Sequence, residues 1–404
     1  MFFLVLLLIA ATAQPFSKKF KIPYPMVLVV IGFVGSEITT RVLHIDTGIH
    51  WESFDELIFF GLIPALIFAE ALTLDIRSMR HNLVAILFLA VPLMLLAAAI
   101  TGALIYAGIG HHTGFPWIAA LLTGALLSAT DPSAVIALLK QFGAPERLQI
   151  MLEGESLFND ATAIVLFGFF MALAVSGNSE SMSWSDGVIK FTRVFLGGLI
   201  VGSITGFVFS RLLSLIENTD VQILLSVVCA YALFILAEKY LHLSGVMAVL
   251  TAGLIISHQF DRRDESKGHE IQTVWGFASH LSQILIFLMA GITITVEMFT
   301  SQWLAMLIAI AGVVFARAVI VFIPLALISR IPGQEKLPFK YQAIMVWGGV
   351  RGTVTLALAL SLPLQLDYWF TIQSMAYGVV VYTLFIQATT IACLLKTLDI
   401  NKQA

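Results

Sequence analysis

Charge is scarce in this chain: Asp, Glu, Lys and Arg make up 12% of its 404 residues, about half of what a soluble domain carries. That scarcity excludes an ordinary water-soluble globule, which could not hide so much apolar surface. Basic blocks are missing too, and the formal net charge of −3 offers no footprint for nucleic acid. Cysteine is nearly absent. Cys229 and Cys393 each sit in an apolar run, far from any His or Cys at metal spacing, so neither a disulfide nor a zinc site is expected. No cofactor is expected either. Long polar segments are lacking: the longest stretches between apolar runs reach only about 15 residues. No separate soluble domain is therefore expected, and residues 1–404 read as one transmembrane unit.

What is abundant is hydrophobic, at 59% of residues and a mean hydropathy of +0.95. The natural solvent for most of the chain is lipid. A spanning helix needs about 20 apolar residues. Thirteen stretches qualify, over 1–14, 25–40, 54–74, 83–108, 115–138, 150–175, 190–213, 221–240, 243–257, 273–294, 303–329, 341–362 and 371–395. The first has no positive residues before it, and Lys18, Lys19 and Lys21 follow it. It reads as a first span with its N-terminus outside rather than as a cleaved signal.

Lys and Arg in alternate loops set the orientation. Sixteen of the 22 fall on one side, whereas Arg41, Lys190, Arg193 and Lys239 fall on the other and Arg317 and Arg351 lie mid-span. The crowded side is expected to be cytoplasmic, with the C-terminus inside a cell (inner) membrane.

Ionisable groups inside a bilayer persist where they serve a pathway or pair with one another. Six lie well inside apolar spans: Glu70, Asp131, Glu155, Asp160, Arg317 and Arg351. Four acids against two bases leave two carboxylates in excess. Arginine does not deprotonate, so the surplus acids must be protonated, hold a cation, or alternate between the two. Alternation of that kind is cation/proton exchange.

The fifth stretch carries Ser128-Ala129-Thr130-Asp131-Pro132-Ser133. Pro132 lacks an N–H and clashes with the preceding turn, so the helix is expected to break there. A break at mid-membrane is tolerated where it lines a cavity, and its freed carbonyls suit a hard cation such as Na⁺. The plainer alternative is a proline kink capped by Asp131. The sixth stretch opens Glu153-Gly154-Glu155-Ser156-Leu157-Phe158-Asn159-Asp160. Ser156 and Asp160 share one helical face, and Glu155 and Asn159 share the adjoining one. Counted from residue 150, Asp160 lies about 15 Å along the helix, too deep for an acid that merely favours a helix start.

The twelfth stretch holds Gly348-Gly349-Val350-Arg351-Gly352. Glycines around an arginine make a weak, deformable segment, or alternatively allow close helix packing. The fifth and twelfth stretches are seven apart. An odd offset inverts orientation, so spans 1–6 and 8–13 are expected to be inverted repeats, with span 7 as linker and two interrupted helices crossing at the midplane.

At these residues the chain resembles the NhaP-type sodium/proton antiporters of the monovalent cation:proton antiporter superfamily, relatives of the animal sodium/proton exchangers. The stretches that carry the resemblance are Thr130-Asp131-Pro132, Glu155-Ser156-Leu157-Phe158-Asn159-Asp160, Phe315-Ala316-Arg317 and Gly348-Gly349-Val350-Arg351-Gly352. Phe68-Ala69-Glu70-Ala71-Leu72-Thr73-Leu74-Asp75 is a looser match. The resemblance implies an all-α polytopic fold, Na⁺ and H⁺ as substrates, and a homodimer in the lipid bilayer. It implies that Asp160 binds cation and proton in turn, with Asp131, Ser156, Thr130, Asn159 and Glu70 completing or adjoining the site. It also implies a Glu155–Arg317 pair, which the sequence alone leaves open between Arg317 and Arg351. Arg351 is implied at the crossing of the broken helices. Animal members carry a long cytoplasmic tail; this sequence ends at Ala404, so regulation through such a tail is not expected.

Three other readings compete. A K⁺/H⁺ antiporter of the same fold differs only in ligand geometry. A cation channel needs a repeated carbonyl filter, which the sequence lacks. An intramembrane aspartyl enzyme built on Asp131 and Asp160 needs a water path and a substrate gate, and no enzymatic activity is expected.

Overall fold

A computed structural model describes residues 2–20, 22–39, 56–74, 79, 82–110, 114–144, 146–176, 184–263, 265–328 and 338–398. Among these residues the regular structure is helical throughout. In chain order the helices are α1 (Phe2–Phe20), α2 (Tyr24–Glu37), α3 (Leu57–Thr73), α4 (Leu83–Gly110), α5 (Trp117–Leu126), α6 (Ser133–Phe142), α7 (Glu146–Ser176) and α8 (Trp184–Leu213). They continue with α9 (Thr219–Tyr240), α10 (Gly245–Arg263), α11 (Glu265–Thr293), α12 (Val296–Ser301), α13 (Trp303–Ile328), α14 (Phe339–Trp347), α15 (Thr353–Leu360) and α16 (Trp369–Thr397).

Seven of these, α4, α7, α8, α9, α11, α13 and α16, are long and apolar enough to cross a membrane unaided. Shorter apolar helices are α2, α3, α5, α6 and the apolar portions of α1 and α10. Helix occupies each of the apolar stretches read from the sequence, but the ends differ. α1 runs on to Phe20 with Pro15 inside it, α7 starts at Glu146 rather than 150, and α11 starts at Glu265 rather than 273. An apolar window marks where lipid begins, whereas a helix keeps its backbone bonds into water. Asp160 consequently lies about 21 Å from the start of its helix rather than about 15 Å. Lys21, Arg41, Asp75, Arg77, Arg80, Arg330, Lys336 and Lys402, all used in the sequence reading, lie outside the described residues.

Small residues set the closest helix contacts. A Cβ added to Gly32 on α2 would come within 2.9 Å of the Gly291 Cα on α11. Gly202 and Gly206 on α8 face Ala248 and Ala252 on α10, where an added Cβ would lie 2.7 Å from either Cα. Backbones approach this closely in membranes because packing, not hydrophobicity, drives helix association there.

The feature that positions the site is a pair of breaks. α5 stops at Leu126 and α6 starts at Ser133, with Pro132 as the residue before the helix. α14 stops at Trp347 and α15 starts at Thr353. The proline therefore lies at a boundary and not inside a kinked helix. Its missing N–H costs nothing there, because the first N–H groups of a helix have no partner within it. The glycines of residues 348–352 serve close approach: a Cβ on Gly352 would come within 2.9 Å of the Asp131 carboxyl carbon, and one on Gly349 within 3.1 Å of the Arg317 and Arg351 side chains.

Candidate functional site

The two breaks touch through their backbones: the Asp131 N–H donates to the Val350 carbonyl at 2.7 Å. Two half-helices end at this crossing and two begin, leaving unpaired carbonyls at the C-termini of α5 and α14 and unpaired N–H groups at the N-termini of α6 and α15. The buried charges answer those dipoles. Arg351 Nε donates to Leu127 O at 2.8 Å and its Nη1 to Gly349 O at 2.5 Å. Arg317 Nε donates to Met345 O, near the end of α14, at 3.2 Å. Asp131 Oδ1 accepts the Ser133 N–H at the start of α6, at 3.1 Å.

α7 lies alongside the first break and reads it from one face. Ser156 Oγ donates to Thr130 O at 2.6 Å, and the Thr130 N–H donates to Asp160 Oδ1 at 3.2 Å. From the adjoining face, Asn159 Nδ2 donates to Ser128 O and to Thr130 Oγ1, both at 3.0 Å. Both amide protons are thereby spent on holding the extended segment in place. One turn earlier, Glu155 takes Arg317 in a two-pronged pair, Nη1 to Oε1 and Nη2 to Oε2, the second at 2.9 Å. Glu155 is 2% exposed and Arg317 5%, so this pair is shut away from water and joins α7 to α13.

Asp160 is 4% exposed, and among the described residues it forms no ion pair. Asp131, Ser156 and Glu70 are only partly buried. The Glu70 carboxylate on α3 lies close enough to Asp131 and Asp160 for their charges to interact. Exposure around this set increases toward the end bearing the C-terminus of α6 and the N-terminus of α7. Gln149, Glu153 and Ser156 form a half-buried stripe along α7 that ends at buried Asp160, and Ser133 and Ala134 are exposed on α6. Lys140 and Glu153 pair at 3.1 Å at its mouth.

Of the nine residues singled out in the sequence, Thr130, Asp131, Glu155, Ser156, Asn159, Asp160, Arg317 and Arg351 are joined by the bonds at this crossing, and Glu70 lies near it on α3. Their oxygens are carboxylate, hydroxyl and main-chain carbonyl, the donor chemistry of a hard monovalent cation. Among the described residues no three His, Cys, Asp or Glu side chains converge as a resident transition metal would require. Three contributors were not visible in the sequence. Thr383 Oγ1 accepts the Arg351 N–H at 3.2 Å, Thr355 Oγ1 donates to Ala129 O at 3.4 Å, and Met345 lends its carbonyl to Arg317. A lone hydroxyl in an apolar helix and a main-chain oxygen carry no sequence signal. Only the π-helical turn at Thr383–Gln387 marks the first of them in the structure.

The family model described as sodium/hydrogen exchanger, transmembrane, matches residues 4–397. The Na(+)/H(+) antiporter NhaG of Bacillus atrophaeus is 33% identical over 420 aligned residues, covering 100% of this chain and 75% of that protein. The Na(+)/H(+) antiporter ApNhaP of Aphanothece halophytica is 30% identical over 393 residues, covering 96% and 72%. In fold, the chain matches the sodium proton antiporter MjNhaP1 of Methanocaldococcus jannaschii with a TM-score of 0.84 at 22% identity, over 98% of this chain and 97% of that one. The chain belongs to the transmembrane sodium/hydrogen exchanger family, a family of cation/proton antiporters.

Proposed function

We propose that this chain exchanges Na⁺ for H⁺ one for one, with Asp160 as the carboxylate that holds either ion. The observation that carries the reading is the isolation of Asp160. It is buried, Arg317 is committed to Glu155, and the Arg351 guanidinium is committed to two carbonyls. An ionised carboxylate in such a place is costly, so it must be neutralised by an ion that comes and goes. Thr130 O, Ser156 Oγ, Asp131 and Glu70 supply further oxygens for Na⁺. Thr130 O already accepts the Ser156 hydroxyl but keeps a second lone pair. Asn159 orients the break and carries no proton. The names of the relatives, as Na⁺/H⁺ antiporters, support Na⁺ over K⁺.

Movement is by alternating access, with spans 1–6 and 8–13 as inverted repeats about the crossing. The protein works as a homodimer in the cell (inner) membrane, N-terminus outside and C-terminus inside, where it serves sodium and pH homeostasis. The test is a proteoliposome assay of pH change on adding Na⁺, Li⁺ or K⁺ in turn. Wild type moves protons against Na⁺, and Asp160→Asn moves none while eluting as folded protein. Retained Na⁺-driven proton movement in Asp160→Asn refutes the assignment, and a response to K⁺ in preference to Na⁺ replaces the ion.

A further inference from the structure

Beyond Asp160, α7 runs on toward the face opposite Lys140 and Glu153. Four and five residues further along, at Ile164 and Val165, it forms the floor of a separate cavity of about 210 Å³. That floor lies roughly 6–7.5 Å along the helix from Asp160, with buried Ala161 between them. The walls come from five other places in the chain: Phe59 of α3, Lys190 and Phe191 of α8, Glu238 of α9, His242 in the link to α10, and Val246 of α10.

Packed aromatic rings form part of the cavity wall. Phe191 stacks on Phe195 with ring centres 5.8 Å apart and meets Phe169 edge-on at 6.4 Å. A Cβ placed on Gly168 would meet nothing within 4 Å. One acid is fixed in this setting. Glu238 Oε2 accepts the Gly245 N–H at the start of α10 at 2.8 Å, which holds the carboxylate at the wall. Glu238 is half-buried, whereas Lys190 is exposed. Lys239 lies with its ammonium 4.4 Å from the centre of the Phe60 ring.

We propose that this cavity is the vestibule through which a monovalent cation approaches Asp160 from the face opposite Lys140. Glu238 is the acid that draws the cation in, and the buried layer at Ala161 and Ile164 is the barrier that separates vestibule from site. The proposal rests on the exchange reading above and adds a residue and a route to it. Capping of α10 explains the Glu238–Gly245 bond on its own; it does not explain why the same carboxylate lines a cavity whose floor is four to five residues along α7 from the ion site.

Proteoliposomes with the protein in one orientation separate these roles, with Na⁺ supplied to one face or the other. Glu238→Gln keeps an oxygen for the Gly245 N–H and removes only the charge. The expected result is a KM for Na⁺ raised about two- to tenfold from the vestibule face, the order expected for loss of one partly screened charge, with turnover kept. From the Lys140 face the KM stays as in wild type. A KM unchanged on both faces, or raised equally on both, overturns the proposal. In a Cys393→Ser background, where the remaining Cys229 is buried, Gly168→Cys provides the steric test. A membrane-impermeant, cationic thiosulfonate added to the vestibule face stops exchange; continued exchange after complete labelling overturns the proposal. Wild type is measured alongside: if it shows no Na⁺-driven proton movement, the exchange reading itself falls and this inference with it.

Discussion

Glu155 and Arg317 are the pair on which the bundle's stability most directly depends. Their two-pronged contact is almost fully dry, at 2% and 5% exposure. Removing one member of such a pair strands the other charge, which costs about 3–5 kcal/mol. Arg317→Ala also takes the donor from Met345 O, and an unsatisfied buried carbonyl adds about 1–3 kcal/mol. Arg317→Ala is therefore the more damaging single change, and Glu155→Ala follows it. The double variant Glu155→Ala/Arg317→Ala strands no charge and is less destabilised than the sum of its parts. Thermal unfolding of detergent-purified protein, with all four members of the cycle compared, reads this directly. Arg317→Lys falls between, because an ammonium cannot hold both carboxylate oxygens and the Met345 carbonyl in one plane. Single effects that simply add, within about 0.5 kcal/mol, would refute the coupling. Loss of stability in Arg351→Ala with none in Arg317→Ala would show that the wrong arginine has been assigned to Glu155.

Three further outcomes are expected. Ser156→Ala removes the 2.6 Å bond to Thr130 O, a contribution of about 0.5–1.5 kcal/mol, so the KM for Na⁺ rises about two- to tenfold in a proteoliposome titration; an unchanged KM removes Ser156 from the site. Acid slows exchange because protons occupy Asp160 in place of Na⁺, and raising Na⁺ restores the rate; inhibition that no Na⁺ concentration relieves argues against one shared carboxylate. An imposed membrane potential leaves the end-point of exchange unchanged, since moving a net charge would couple it by about 2.3 kcal/mol per 100 mV; an end-point that follows the potential makes Asp131 or Glu70 a second proton carrier.

The fold and the site were legible in the sequence to different depths. Lipid-facing helices announce themselves through composition, and the embedded charges stand out because lipid tolerates so few. The four-residue spacing of Ser156 and Asp160 already placed both on one face of α7, and both meet Thr130. Polar helix ends were less visible, because the first turns at Glu146 and Glu265 lie outside any apolar window. The extent of the first break was also hidden. Pro132 marks where α6 can begin, but the end of α5 at Leu126 is set by tertiary bonds, including Arg351 to Leu127 O and Asn159 to Ser128 O, that no local pattern encodes. The choice between two arginines for Glu155 belongs to the same class, since it depends on which helix α7 packs against.

The crossing leaves one buried acid unmatched, the acid proposed above to carry the transported ions. Each fixed charge at the centre is matched by something equally fixed. Arg317 answers Glu155 and the end of α14, Arg351 answers the end of α5, and Asp131 answers the start of α6. Asp131 and Glu70 are only partly buried. Asp160 is buried and, among the described residues, makes no ion pair with either arginine. Its one backbone donor, the Thr130 N–H, orients the carboxylate without cancelling its charge. On the alternating-access reading proposed above, closing the bundle over it is affordable only with a proton or a cation in place, and opening it to either face would let one replace the other. On the exchange proposed above, a requirement for one neutralising ion per passage, imposed by burial, would tie the inward movement of one to the outward movement of the other.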